Sequence, residues 1–270
     1  MQRKIKIIND LQKRINSLQP VRELDEEFKN KFVIDFTYHS NKIEGLKLTY
    51  GETINCLKHN IIPRNGSIKD ILDIKNHKKI IESLFENLKY PLTPESIKQM
   101  HKELMCDIRQ WGFEDDYSPG EYKWDTNYVI LPDGKEKSFL SAHETPGAME
   151  KLCSDITDMM KHADINDVKR HPLYISTYFH HSFVNIHPFA DGNGRICRLT
   201  GNLILMKSGF TPFMVKNEQR AEYINTLVKA DQENDITGMF EFFSKNLIES
   251  QEKKLNLFRD MSQSNDMGLH

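Results

Sequence analysis

Nowhere in the chain do about 18 apolar residues run together without a charge, so no segment reads as a membrane-spanning helix. Cysteine is scarce. The 4 thiols, Cys56, Cys106, Cys153 and Cys197, are scattered without a Cys-x-x-Cys pair, which argues against a disulfide framework or a zinc site and leaves them as reduced packing residues. An excess of positive charge is also missing: 37 Lys plus Arg face 39 Asp plus Glu, a net charge of -2, so no direct nucleic-acid binding is expected. The first residues, MQRKIKIINDLQKRINSL, carry charges throughout and lack the apolar core of a secretory signal. Secretion is disfavoured and a cytoplasmic location is the expectation. In that setting the sequon Asn65-Gly66-Ser67 is a turn and not a glycosylation site. Internal repeats, low-complexity blocks and Ser/Gly linkers are absent too, which makes one mostly helical domain the simplest organisation.

What is present is helical spacing. Hydrophobic residues at 38% and charged residues at 28% suffice for a buried core in a 270-residue globular chain. Ile5, Ile8, Leu11, Ile15 and Leu18 recur at intervals of three and four, and Pro20 closes that run. A second helical pattern from about Leu24 to Ile43 breaks at Gly45. Thr49 caps a short helix through Leu57, Ser67 caps one running to Lys89, and Thr93-Pro94 opens one through Met105. Between Trp111 and Thr145 the period changes. Tyr128 to Leu131, the turn Pro132-Asp133-Gly134-Lys135 and Ser138-Phe139-Leu140 predict a small hairpin. Thr145-Pro146 repeats the cap-plus-proline signal for a helix to about His162, and Pro172 opens another to about Asn185. Gly194 to Lys207 is helical in pattern with Gly209 as its stop. Asn217 and Asp235 are the expected caps of the last two helices, and the polar tail from Met261 is expected to fray.

The stretch that carries chemistry is His187-Pro188-Phe189-Ala190-Asp191-Gly192-Asn193-Gly194-Arg195-Ile196-Cys197-Arg198, a loop feeding the start of a helix. Glycines let the backbone approach a ligand, and successive amides at a helix N-terminus make an anion-binding nest suited to phosphate. Arg195 and Arg198, three apart, can face one side of the helix and grip a polyphosphate. Asp191 can hold Mg²⁺, which takes one or two carboxylates plus phosphate oxygens, and His187 is the natural base. Neither a P-loop nor a dinucleotide-binding turn fits, for want of the Gly-Lys-[Ser/Thr] ending, the third glycine and a preceding strand. Taken one at a time, these features also suit a plain surface turn before a solvated helix face.

The string matches, residue for residue, the signature His-x-Phe-x-[Asp/Glu]-Gly-Asn-Gly-Arg-x-x-Arg, and so resembles the Fic (filamentation induced by cAMP) family from about Asp35 to Glu249. The resemblance implies a mostly α Fic-fold helical bundle with a small β-hairpin flap. It also implies transfer of AMP from ATP to a Ser, Thr or Tyr hydroxyl of a protein, the chain itself included, with pyrophosphate leaving. His187 would be the catalytic base and Asp191 the ligand of Mg²⁺. Gly192, Asn193 and Gly194 would bind phosphates through their amides, with Arg195 and Arg198 anchoring the β- and γ-phosphates and Phe189 packing into the core. Gly194 stands where the kinase-like branch of the family has Lys, which favours AMP transfer over phosphorylation. The flap, about 122–140, would dock an extended target segment through Tyr128, Val129 and Ile130, although ordinary strand packing explains these residues equally well.

Upstream, Ser40-Asn41-Lys42-Ile43-Glu44-Gly45 resembles the family's inhibitory motif [Ser/Thr]-x-x-x-Glu-[Gly/Asn]. Glu44 would pair with Arg198 and so displace the γ-phosphate, on a helix that Gly45 ends. The implied division is an N-terminal helical region, 1–110, with the inhibitory helix at about 24–45. A Fic core follows at 111–250, then a C-terminal helix end and tail at 251–270, with no further module inferred and a homodimer left open. The same glutamate could instead serve removal of AMP, the nucleotide could differ, or the protein could sense nucleotide without catalysis. A metal-dependent hydrolase built on His180, His181, His187 and Asp191 is disfavoured, because neighbours on a helix point about 100° apart. His39, His59, His77 and His101 read as helix-surface or satisfied core residues.

Overall fold

The computed structural model describes residues 1–18, 26–64, 66–108, 118–130, 134 and 136–267, with only the backbone described from residue 260 onward. Pro20, Leu24, Asn65, Trp111, Leu131, Pro132, Asp133 and Lys135, all used in the sequence reading, lie outside the described residues. Within them the chain is mostly helical, with ten helices and one two-stranded sheet.

Helix α1 (Gln2–Leu18) buries Ile5, Ile8 and Ile15 along the long last helix, α10 (Thr237–Met267), and the Gln251 amide donates to the Ile8 carbonyl at 3.1 Å. Helix α2 (Glu26–Ile43) ends where Gly45 takes φ +100°, a conformation that costs glycine little. Thr49 and Glu52 close a capping box on α3 (Tyr50–His59), as do Ser67 and Asp70 on α4 (Ile68–Glu86). α4 stops short of the expected Lys89 because Asn87 leaves helical geometry and its carbonyl accepts from Tyr90 N in a tight turn. α5 (Pro94–Leu104) starts on the Thr93 cap with proline in its first turn.

Strands β1 (Tyr128–Ile130) and β2 (Glu136–Ser138) pair antiparallel with Tyr128 opposite Ser138. The second strand lies earlier than Ser138-Phe139-Leu140. Phe139 and Leu140 leave the sheet, their amides donating to the Asn127 carbonyl at 3.0 Å and the Asn185 carbonyl at 3.4 Å.

Helix α6 (Thr145–Lys161) corrects one cap. Glu144 holds the cap position, and the Thr145 hydroxyl, already inside the helix, donates to the Ser141 carbonyl at 2.8 Å. α7 (Pro172–Ile186) is capped by His171, whose Nδ1 accepts from the Leu173 amide, and α8 (Asn193–Lys207) runs out before Gly209 at φ +80°. Asn217 opens a single 3-10 turn, Asn217–Gln219, ahead of α9 (Arg220–Glu233) and so does not cap that helix; Asp235 accepts from the Thr237 amide at the start of α10. α10 extends past Met261 to Met267, with no proline in its span to break it. Cys56, Cys153 and Cys197 pack inside, but Cys106 is exposed, a further correction.

The core centres on α7 and α8. Phe179, Phe183, Ile196, Leu199 and Leu203 are fully buried between them and their neighbours. α8 packs on α7 and also meets α2, α4 and α5. That placement brings polar groups from three distant segments to the first turn of one buried helix.

Candidate active site

The loop that joins α7 to α8 is shaped by its own side chains. His187 ends α7 in the left-handed region, φ 49° and ψ 62°, and this sharp turn starts the crossing to α8. Phe189 follows it into the core, fully buried and stacked on His101 with ring centroids 3.8 Å apart. Asn193 staples the loop twice, accepting from the Phe189 amide at 2.9 Å and donating to its carbonyl at 2.7 Å. His101 secures it from below. Its Nδ1 accepts from the Gly120 amide at 2.9 Å, so the proton sits on Nε2, which donates to the Asp191 carbonyl at 3.1 Å. Gly192, at φ +77°, holds a conformation that strains any side chain, and a Cβ there would press on Met105 Sδ at 3.2 Å.

The amide of Gly192 is already used, donating to Asp191 Oδ1 at 2.6 Å. Asn193 and Gly194 present theirs at the first turn of α8, where backbone donors have no partner within the helix. Burial acts to raise the Asp191 carboxyl, but the Arg195 guanidinium and the Gly192 amide outweigh it and hold the group below its ordinary range. Half of that side chain, 51%, remains exposed. Among the described residues no three His, Cys, Asp or Glu side chains form a ready metal set.

The two arginines, expected to grip one ligand together, are committed to different partners. Arg195, 2% exposed, bonds Asp73 of α4 and lies 3.5 Å from Asp191. Burial opposes its charge, but Asp73 and Asp191 more than restore it. Arg198 donates to Ser40 Oγ at 3.0 Å, to the Ser40 carbonyl at 2.8 Å and to Glu44 Oε1 at 2.7 Å. Glu44 reaches it across Gly194, where an added Cβ would stand 2.3 Å from Glu44 Oε1. The turn that carries Glu44 is itself pinned: Lys42 Nζ donates to the carbonyls of Leu46 and Leu48, and Arg220 Nε donates to that of Ile43 at 2.9 Å.

The His187 ring stacks on Phe139 with centroids 3.9 Å apart, and its buried Nδ1 meets the Val184 carbonyl only in strained hydrogen-bond geometry. Burial first, then the nearby Lys123 ammonium, pushes the imidazole down to about 4, so it is the free base at neutral pH. It opens on a cavity of about 220 Å³ whose other walls include Glu44, Gly194, Arg198, Val129 and Tyr223. That is below the roughly 300 to 1,000 Å³ usual for ligand pockets, as expected of a site partly filled by its own glutamate. A larger open cleft of about 720 Å³ beside α5 and α6 holds none of these groups.

His187, Gly194, Arg198, Glu44 and Val129 therefore share one cavity, while Asp191, Gly192, Asn193 and Arg195 adjoin it. Tyr128 and Ile130 are 60% and 63% exposed and share the strand face opposite to Val129. His180 bonds the Tyr223 hydroxyl and His181 the Asn185 side chain. Sequence reasoning missed Asp73, His101, Lys123 and Asn127. The only local hint was at Lys123 and Asn127, which lie in the stretch whose irregular pattern already marked it as unusual.

Residues 91–205 match the model of the Fic/DOC family. Over 261 residues the chain is 25% identical to the protein adenylyltransferase Fic of Drosophila erecta, spanning 95% of this chain and 48% of that protein. It is 28% identical over 228 residues to protein adenylyltransferase fic-1 of Caenorhabditis briggsae, spanning 83% of this chain and 41% of that protein. The chain thus spans about half the length, or less, of these curated relatives. A solved Fic domain containing signaling protein from Bacteroides thetaiotaomicron superposes with a TM-score of 0.81 at 29% identity, covering 92% of this chain and 95% of that one. Signature, fold and likeness agree on one conclusion: residues 91–205 match the Fic/DOC family, and the chain as a whole has the fold of a solved Fic domain containing protein.

Proposed function

We propose that the chain is a protein adenylyltransferase that moves AMP from ATP to a hydroxyl side chain of a protein, and that Glu44 holds it inactive. The observation that carries this reading is that His187 and Arg198 face one cavity while Glu44 occupies the guanidinium of Arg198 at 2.7 Å. Arg198 is the cation best placed to receive a terminal phosphate, and a carboxylate and a phosphate compete for the same fork of donors.

When Glu44 withdraws, the open amides of Asn193 and Gly194 and the charges of Arg198 and Arg195 bind the triphosphate. His187 takes the proton of the incoming Ser, Thr or Tyr hydroxyl as its oxygen attacks the α-phosphorus. The bond from that phosphorus to the bridging oxygen breaks in line, and pyrophosphate carries off the electron pair. General-base help of this kind contributes on the order of 10²- to 10⁴-fold. Asp191, ionised and half exposed, suits one ligand position of a Mg²⁺ ion completed by phosphate oxygens and water. That ion would neutralise phosphate charge and orient the leaving group. The hairpin's outer face, with Tyr128 and Ile130, offers an edge for an extended target segment or for a second copy of the chain.

A clamp that keeps 99% of molecules inactive needs only about 3 kcal/mol. A largely buried charge pair can supply that much. With labelled ATP and magnesium, Glu44→Gly is expected to raise self-labelling roughly 100-fold and His187→Ala to abolish it. Equal labelling of wild type and Glu44→Gly would remove the brake from the account. Because Glu44 and His187 line the same cavity, the site also suits the reverse use, in which Glu44 orients a water against an AMP-modified side chain. Loss of label from a pre-modified protein on incubation with wild type, absent with Glu44→Gly, is the result expected of that second activity.

A further inference from the structure

A lysine ammonium is buried beside the candidate site, with no carboxylate bonded to it among the described residues. Lys123 is 5% exposed. Its Nζ donates to the Ile186 carbonyl at 2.9 Å and to Asn127 Oδ1 at 2.8 Å, and its backbone amide donates to the Pro188 carbonyl at 2.8 Å. One residue therefore grips the chain on both sides of His187. Asn127 extends the hold, since its amide donates to the Phe189 carbonyl at 2.9 Å and its own carbonyl accepts from Phe139, the ring that stacks on His187.

Such an arrangement is costly unless it serves something, because an ammonium buried among neutral acceptors is disfavoured. Here burial drives Lys123 down to about 8, so it still carries its charge over most of the neutral range. The Ile186 carbonyl, at the C-terminal end of α7, is one place where a cation is welcome.

We propose that Lys123 is a positioning residue for His187, fastening the end of α7 and the root of the hairpin to one point and keeping the imidazole uncharged against the field of a bound polyanion. The second half rests on the adenylyl-transfer reading. A triphosphate beside His187 favours the imidazolium, which cannot accept a proton. Lys123 opposes that from outside the cavity lining, tied to Ile186 and Asn127. Other charges face the ring from every side. Glu44 of the turn after α2 and Asp191 of the loop favour protonation. Lys137 of β2, His181 of α7, Arg198 of α8 and Arg220 of α9 line the same cavity. Of these cations and the lysine, Lys123 is the one whose charge acts to lower His187.

The test is an NMR titration of the His187 imidazole in the full chain, which needs no activity. Lys123→Gln keeps an amide donor for the Ile186 carbonyl but removes the charge; Lys123→Arg keeps the charge. The expected result is an upward shift of the His187 midpoint from about 4 in Lys123→Gln and little change in Lys123→Arg, larger again when a non-hydrolysable ATP analogue is added. An unchanged midpoint in Lys123→Gln overturns the proposal. Should Lys123→Gln fail to fold, the same titration on Asn127→Asp, which adds a carboxylate beside the ammonium, replaces it. An upward shift there supports the proposal and no shift overturns it. If the free-protein shift appears while Glu44→Gly transfers no label from ATP, the adenylyl-transfer reading fails and the role of Lys123 stands.

Discussion

Arg195 shows what a single buried charge demands of its surroundings. At 2% exposure it is held by Asp73, a residue 122 positions away, with Asp191 as a more distant second partner. Replacing Asp73 by Asn leaves the guanidinium largely uncompensated. The expected loss is about 3 kcal/mol of unfolding free energy, read from urea denaturation. The double variant Asp73→Leu/Arg195→Met should be less destabilised than Asp73→Asn alone, because it removes the charge together with its partner. The twelve consecutive residues from His187 to Arg198 are legible in the sequence because their spacing alone sets a loop and one helical turn. Asp73 is not legible. Nothing in Lys69-Asp-Ile-Leu-Asp73 distinguishes it from any acidic residue on a helix, and its role exists only once α4 lies beside α8. The same holds for His101, whose ring completes the loop from another helix.

Among the elements, α2 is the one whose docking, on the proposed reading, sets the state of the site. Its last turn and the residue just after it touch Arg198 three times, through Ser40 Oγ, the Ser40 carbonyl and Glu44. Ser40→Ala removes one of these bonds and leaves the others. A buried hydrogen bond of this kind contributes about 1 kcal/mol, so self-labelling should rise roughly fivefold, well short of Glu44→Gly. A Ser40→Ala rate equal to wild type would show that Glu44 alone holds the helix end. Helix starts at Thr49, Ser67 and Thr93 were readable because each cap sits three residues before its reciprocal partner. Thr145 was misleading for a local reason. Ser141 has already begun a turn, its Oγ accepting from the Glu144 amide at 3.3 Å, so the chain is helical one residue before the threonine.

The molecule as a whole stores neutral imidazoles in its interior. His171 and His180 are 0% and 3% exposed, and burial lowers them to about 4 and about 3. Their folded values lie below the unfolded value near 6.5, so the unfolded chain binds more protons between the two. Stability is then full above about pH 6.5 and declines as pH falls toward 4, by roughly 2 kcal/mol per histidine at pH 5. Urea unfolding at pH 7 and pH 5 should show this drop, and His171→Asn, which has no proton to gain, should show a smaller one. Position 194 carries a consequence of another kind. Since a methyl group there would meet the carboxylate end of Glu44, bulk at this site requires the glutamate to shift from its place against Arg198. Among descendants of such a chain, a step that enlarges residue 194 is expected to weaken the restraint proposed for Glu44, so an inherited off-state of that kind should persist best where both the glycine and the glutamate have been kept.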